Sequence, residues 1–107
     1  MELEKSPIRA KIELLSTQDG GRKQPLCGPV SYRPNHNFFG EHDREMLMGT
    51  IELAEGQSIA PGECVDVNMT LWLWPPLVSE LRVGQRWRIQ EGSQLVGWGE
   101  VLNIFRQ

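Results

Sequence analysis

Apolar and polar residues alternate with a period of two along several segments of this chain. The first such segment places Arg9, Lys11 and Glu13 between its apolar positions, which are Ile8, Ala10, Ile12 and Leu14. The longest segment has five apolar positions separated by polar or aromatic residues, namely Val65, Val67, Met69, Leu71 and Leu73. Because successive side chains of a strand point to opposite faces, each segment predicts a strand with one face in the core.

Shorter segments with strand-like patterns lie between turn signals. They are residues 49–53, residues 86–90 and residues 95–105, and the last of these contains two glycines that indicate a bend, Gly97 and Gly99. Only residues 77–83 are predicted to form a helical turn. Six or so strands without a substantial helix predict an all-β fold, either a Greek-key barrel or a sandwich.

Length and charge narrow the classes of protein that fit. The 107 residues suit one domain, and the net charge of −3 argues against general nucleic-acid binding by phosphate neutralisation. No segment has the pattern of a signal peptide or a membrane span, which predicts a cytoplasmic protein without membrane contact. Cys27 and Cys64 form no CxxC motif and are predicted to be reduced thiols, one or both partly buried, with a disulfide or a shared metal site as the alternative.

Six short motifs follow one another in a set order. They are Asp19-Gly20-Gly21-Arg22, Tyr32-Arg33-Pro34, residues 48–53, Pro61-Gly62-Glu63, residues 84–92 and residues 96–101. In this order they resemble the C-terminal (third) domain of elongation factor Tu, over residues 8–104. The resemblance implies one domain, residues 1–107, folded as a six-stranded antiparallel Greek-key β-barrel. In that family the domain packs on the second barrel and the GTPase domain, helps to hold the T-stem of aminoacyl-tRNA, and contacts the nucleotide exchange factor.

The motifs of catalysis are missing from the sequence. There is no G-x-x-x-x-G-K-[ST] phosphate loop, no G-x-S-x-G elbow, and no Cys–His or paired-carboxylate arrangement beyond chance. We therefore expect a binding module that stands alone without the GTPase domain, and not an enzyme. We expect no cofactor and no small-molecule substrate.

The resemblance places candidate RNA or partner contacts at Arg33 and at the hairpin Glu91-Gly92. Neutral residues replace the family's basic side chains around this hairpin, namely Gln90, Ser93 and Gln94. The loop of residues 35–46 is longer than in the family, and three acids in it are expected to repel phosphate. These departures count against tRNA binding, and the alternative for residues 91–94 is a plain hairpin turn.

Two histidines, His36 and His42, lie in the same loop as Glu41 and Asp43. Their spacing matches no known set of metal ligands, so solvated loop histidines are the simpler interpretation. Because long loops often carry function, the two histidines are also candidate contacts for a protein partner.

Trp72 and Trp74 lie on the face of the longest strand opposite its core positions. If the two indoles are exposed, they form an apolar interface for a partner or for a second copy of the chain. The alternative is that they are buried in a second layer. Arg86 and Arg88 share a face of another strand, as Arg9 and Lys11 do in the first. Arg86 and Arg88 are therefore further candidate contacts for RNA or a partner. If those strands are neighbours, the four residues form a basic strip; the alternative is that they lie on solvated outer faces of the barrel.

The sequence thus favours a module that binds a component of the translation apparatus, either aminoacyl-tRNA or a protein partner. The alternative is a protein-interaction, scaffold or decoy barrel that uses the Trp72 and Trp74 face and has no role in translation. The acidic net charge favours a protein over RNA as the partner.

Overall fold

The computed structural model describes residues 2–39 and 45–105. Their regular secondary structure consists of a 3₁₀ turn (Thr17–Asp19), one helix, α1 (Pro75–Glu80), and strands that turns and loops connect. In chain order the strands are β1 (Glu4–Leu14), β2 (Leu26–Cys27), β3 (Val30–Tyr32), β4 (Asn35–Asn37), β5 (Met48–Leu53), β6 (Ser58–Ile59), β7 (Cys64–Leu73), β8 (Arg86–Glu91) and β9 (Gln94–Ile104). The prediction of an all-β fold is confirmed.

Seven of these strands form one antiparallel sheet, in the order β3-β5-β7-β1-β9-β8-β4, while β2 pairs with β6. The sheet curls into a half-barrel, so the prediction of a closed six-stranded barrel is wrong. Both edge strands, β3 and β4, are three residues long, and within the described chain no ladder joins them. An isolated bridge between His36 and Leu47 links β4 to the residue before β5. Edge strands this short cannot supply the hydrogen bonds that full closure needs.

The core fills the concave face of the sheet, where the alternation of β1 and β7 places its apolar side chains. In β1 the residues Ile8, Ala10, Ile12 and Leu14 are all at most 1% exposed. In β7 four of the five predicted positions are buried, and Val65 is half-buried at the edge of the core. Burying one such large apolar side chain contributes about 1.5–3 kcal/mol, so these two central strands account for much of the stability.

The two glycines of β9 are needed for close packing across the sheet. A Cβ atom on Gly99 would lie 2.3 Å from Cζ2 of Trp87, and one on Gly97 would lie 2.5 Å from the carbonyl oxygen of Glu13. Real side chains do not approach that closely. Gly99 therefore makes the space that the large indole of Trp87 occupies in the core.

Candidate functional site

A groove of about 760 Å³ lies around Trp72 and is here called the Trp72 groove. Strands β1, β5 and β7 supply most of its lining, and the segment after β3 closes one side. Its lining residues are Lys5, Arg33, Pro34, Asn35, Met46, Leu47, Met48, Gly49, Thr50, Glu52, Thr70 and Trp72. The groove therefore lies on the convex face of the sheet, opposite the core.

Strand register explains why these residues meet. Trp72 of β7 pairs with Lys5 of β1 on one side and with Met48 of β5 on the other. Side chains directly opposite one another in neighbouring strands lie on the same face and touch. Lys5, Trp72 and Met48 thus form one row across three strands, and the pair Thr50 and Thr70 forms the next row.

The floor of the groove is apolar and only partly covered. Met48 is 60% exposed, and Trp72 is half-buried beside it. Within the described chain the Trp72 indole donates no hydrogen bond. A large aromatic ring and a methionine with open surface form the kind of apolar patch found at binding sites.

Trp74 is separate from this groove. It lies one residue beyond β7, occupies the N-cap of α1, and is 47% exposed. Its carbonyl oxygen accepts a 2.8 Å hydrogen bond from the Leu77 amide, which starts the helix. Trp72 and Trp74, which the sequence predicted to share one face, therefore have different surroundings, and only Trp72 lines the groove.

Two cations and one acid line the groove. Lys5 and Arg33 are exposed, and neither has a salt bridge within residues 2–39 and 45–105. The carboxylate of Glu52 accepts a 2.8 Å hydrogen bond from the Ser31 hydroxyl, so part of its capacity to accept hydrogen bonds is already used. The net result is an apolar floor with positive charge at its border.

The hairpin Glu91-Gly92 lies next to the groove but is held by the protein itself. The Glu91 carboxylate forms a salt bridge with Arg22 and accepts a hydrogen bond from the hydroxyl of Tyr32. Burial of Tyr32 and this contact with Glu91 both raise the pKa of its phenol. The Asn35 side chain, which also lines the groove, donates a 3.4 Å hydrogen bond to the Gly92 carbonyl.

These contacts make the hairpin a structural element, because the carboxylate of Glu91 is engaged within the chain. The predicted contact residues Arg33, Glu91 and Gly92 do lie near one another, with Asn35 between them. The sequence assigns no partners to Arg22 or Tyr32. The motifs that contain them were visible, but the salt bridge joins positions far apart in the chain.

Arg86 and Arg88 lie on a different part of the convex face, around Trp98 of β9. Their guanidinium carbons are 5.5 Å and 5.1 Å from the centre of that ring, within the range of cation–π attraction. Strand β9 separates β8 from β1, and its Glu100 pairs with both Arg86 and Lys11. A continuous basic strip is therefore not formed, because an acid lies between its two halves.

His36 is a core residue, so the prediction of a solvated loop histidine is wrong for it. The side chain is 0% exposed; its Nδ1 accepts a 3.0 Å hydrogen bond from the indole N–H of Trp87, and its Nε2 lies 3.2 Å from the Gly49 carbonyl oxygen. Burial lowers its pKa to about 4, although the bond to Gly49 acts in the opposite direction. His36 is thus neutral near pH 7 and unavailable as a surface contact. His42 lies outside the described residues.

The remaining predictions concern metals, thiols and membranes. Cys27 and Cys64 are free thiols, and both are exposed, so the prediction that one or both are partly buried is wrong. In the described part of the chain, no three potential metal ligands among His, Cys, Asp and Glu lie together, and no helix is long and apolar enough to span a bilayer.

No protein-family model matches the chain.

Proposed function

We propose that the chain is a non-enzymatic binding module, related to the third domain of elongation factor Tu, that docks a protein of the translation apparatus. The observation that carries the docking is the Trp72 groove, which combines a half-buried indole, an exposed methionine and two border cations. Aromatic residues and arginine are enriched among the residues that dominate binding energy at protein interfaces. The groove has both kinds of residue within one concavity.

The relation to elongation factor Tu rests on the ordered motifs of the sequence. The glycines in three of these motifs have φ angles that other residues rarely adopt, with 93° at Gly20, 90° at Gly62 and 60° at Gly92. Motif glycines that are needed for turns are consistent with a shared backbone. The antiparallel all-β fold is also consistent with it, and the translation partner is inferred from this relation.

Aminoacyl-tRNA is the second candidate partner, and Arg86 and Arg88 favour it because guanidinium groups can contact phosphates. Three features count against it: Glu100 lies opposite Arg86, the Glu91 carboxylate sits at the hairpin, and the chain has a net charge of −3. Phosphate-dominated binding needs several cations on one face because affinity comes largely from counterion release. A protein is the better fit.

The test is to measure binding of the purified chain to tRNA, ribosomes, the nucleotide exchange factor and elongation factor Tu. A crosslinked capture from the native lysate, with and without nuclease, identifies which of these the chain meets in the cell. We expect a translation protein that is retained after nuclease, lost with Trp72→Ser and kept with the matched control Trp74→Ser. Absence of affinity for all four would refute the proposal. A captured protein unrelated to translation would favour the scaffold or decoy alternative.

A further inference from the structure

We propose that the Trp72 groove binds an extended acidic segment in which one large apolar side chain lies between two carboxylates. The inference rests on the proposed function, because it names the chemistry of the partner segment that the groove takes. It follows from the positions of the two cations relative to the apolar floor.

The floor is suited to a single large apolar side chain. Trp72 and Met48 lie side by side across the ladder between β5 and β7, and Met46 also lines the groove. Methionine side chains are flexible and polarisable, so they adapt to aromatic or branched partners. A phenylalanine or leucine placed on this row would cover the open surface of both Trp72 and Met48.

The cations lie at opposite ends of the groove. Lys5 is at one end of that row, in β1 next to Trp72, whereas Arg33 directly follows β3 on the far side of β5, level with the next row, Thr50 and Thr70. The strand order β3-β5-β7-β1 puts three strand spacings between the two charges, and with the offset of two residues along the strands their backbones are roughly 16 Å apart. Each cation has an exposed side chain and no salt bridge within the described residues.

An extended peptide can span this spacing, because the long lysine and arginine side chains reach inward from the two backbones. Residues i, i+2 and i+4 of an extended chain point to one side, and the first and last are roughly 13 Å apart. A segment with acids at i and i+4 and an apolar residue at i+2 would therefore place one carboxylate near Lys5, the ring on Trp72 and the other carboxylate near Arg33. Glu52 lines the groove on β5, opposite Ser31, and disfavours a further acid on the Arg33 side of the groove.

A nucleic acid fits the same surface less well. Stacking of a base on Trp72 is feasible, but two cations release few counterions and Glu52 would repel phosphate. The methionines of the groove give no flat face for successive bases to stack on. The groove chemistry thus points to a peptide.

The probe for the test is a fluorescein-labelled, end-capped peptide of glutamate, serine, phenylalanine, serine and glutamate, titrated with the intact chain by anisotropy. We expect saturable binding that weakens with added salt. Lys5→Glu and Arg33→Glu should each weaken it roughly tenfold, and Trp72→Ser at least roughly 30-fold. Lys23→Glu and Trp74→Ser are the matched controls, since both residues are exposed and neither lines the groove, and they should leave binding unchanged.

A charge swap gives the sharpest result. The same peptide with lysine in place of both glutamates should not bind the native chain, and should bind the double variant Lys5→Glu/Arg33→Glu. Equal affinity for the two peptides, or preference for an oligothymidine of similar length, would overturn the inference. A translation partner that needs Trp72 but is indifferent to both charge reversals would also overturn it, while leaving the proposed function intact. Conversely, peptide binding without any translation partner would remove the proposed function alone.

Discussion

Trp87 and Trp72 lie on opposite faces of the same curled sheet and differ in their burial and in the hydrogen bonding of their indole rings. Trp87 is 2% exposed, donates to His36, and stacks on Phe38 with ring centres 4.9 Å apart. Trp72 is half-buried, and within the described chain its indole donates no hydrogen bond. The inner indole is part of a core that accepts little change, whereas the outer one has open surface for a partner. Stability and binding should therefore be separable by mutation.

The strongest test of this separation is Gly99→Ala, which should destabilise the fold by about 3 kcal/mol or more. The new methyl group would lie 2.3 Å from Trp87, so the indole must shift and its bond to His36 must weaken. Urea denaturation of both proteins measures the change in free energy of unfolding.

Gly56→Ala provides the matched control. Gly56 has a φ of 85° and no atom within 4 Å of the added carbon, so only backbone strain of about 1 kcal/mol is expected. Equal losses in the two variants would show that the space around Trp87 does not limit stability.

The second prediction is that stability falls as pH drops from about 6.5 to about 4, because of His36. Burial lowers its pKa to about 4 in the folded chain, so the unfolded chain binds the extra proton throughout this window. The free energy of unfolding therefore rises with pH there, and the single group accounts for about 3 kcal/mol between the two limits. Urea denaturation at several pH values measures this slope.

Replacing the histidine separates its contribution to the pH dependence of stability from the contribution of the carboxylates. His36→Gln should be less stable at pH 7 and should lose most of the slope between pH 6.5 and 4. His42→Gln, which removes the only other histidine, should keep the slope. An NMR titration in which the His36 ring protonates near pH 6.5 in the native chain would contradict the prediction.

The third prediction concerns Tyr32, the only tyrosine of the chain, whose ionisation can be followed by ultraviolet absorbance. Burial and the adjacent Glu91 carboxylate raise its pKa above the ordinary value of about 10. Glu91→Gln removes the negative charge, so the phenol should ionise at a lower pH than in the native chain. The same variant should lose about 1 kcal/mol of stability, because the ion pair with Arg22 is partly exposed. An unchanged titration would show that burial alone sets the pKa.

The sequence predicted the central strands well because their alternation is long enough to fix which face is buried. Ile8 to Leu14 and Val67 to Leu73 leave little choice of register. His36 was misplaced for the opposite reason: β4 has three residues, too few for a pattern to distinguish inward from outward side chains. The open edge of the half-barrel likewise depends on strand lengths that the sequence pattern does not define.

The candidate groove was only partly visible in the sequence. Trp72 stood out by its type and its face, and Arg33 by its motif. Lys5 and Met48 were missed, because they join Trp72 only through the pairing register of three strands. Trp98 between Arg86 and Arg88 was missed for the same reason, since β9 had to be placed beside β8 first.

The last prediction compares two methionines on the two faces of the sheet. Met69 is 2% exposed on the concave face, and Met69→Ala should cost about 2–5 kcal/mol by leaving a cavity in the core. Met48 is 60% exposed on the convex face, so Met48→Ala should change stability by no more than about 0.5 kcal/mol. Urea denaturation measures both, and the peptide titration should show weaker binding for Met48→Ala. A large loss of stability in Met48→Ala would mean that this surface supports the fold and is not reserved for a partner.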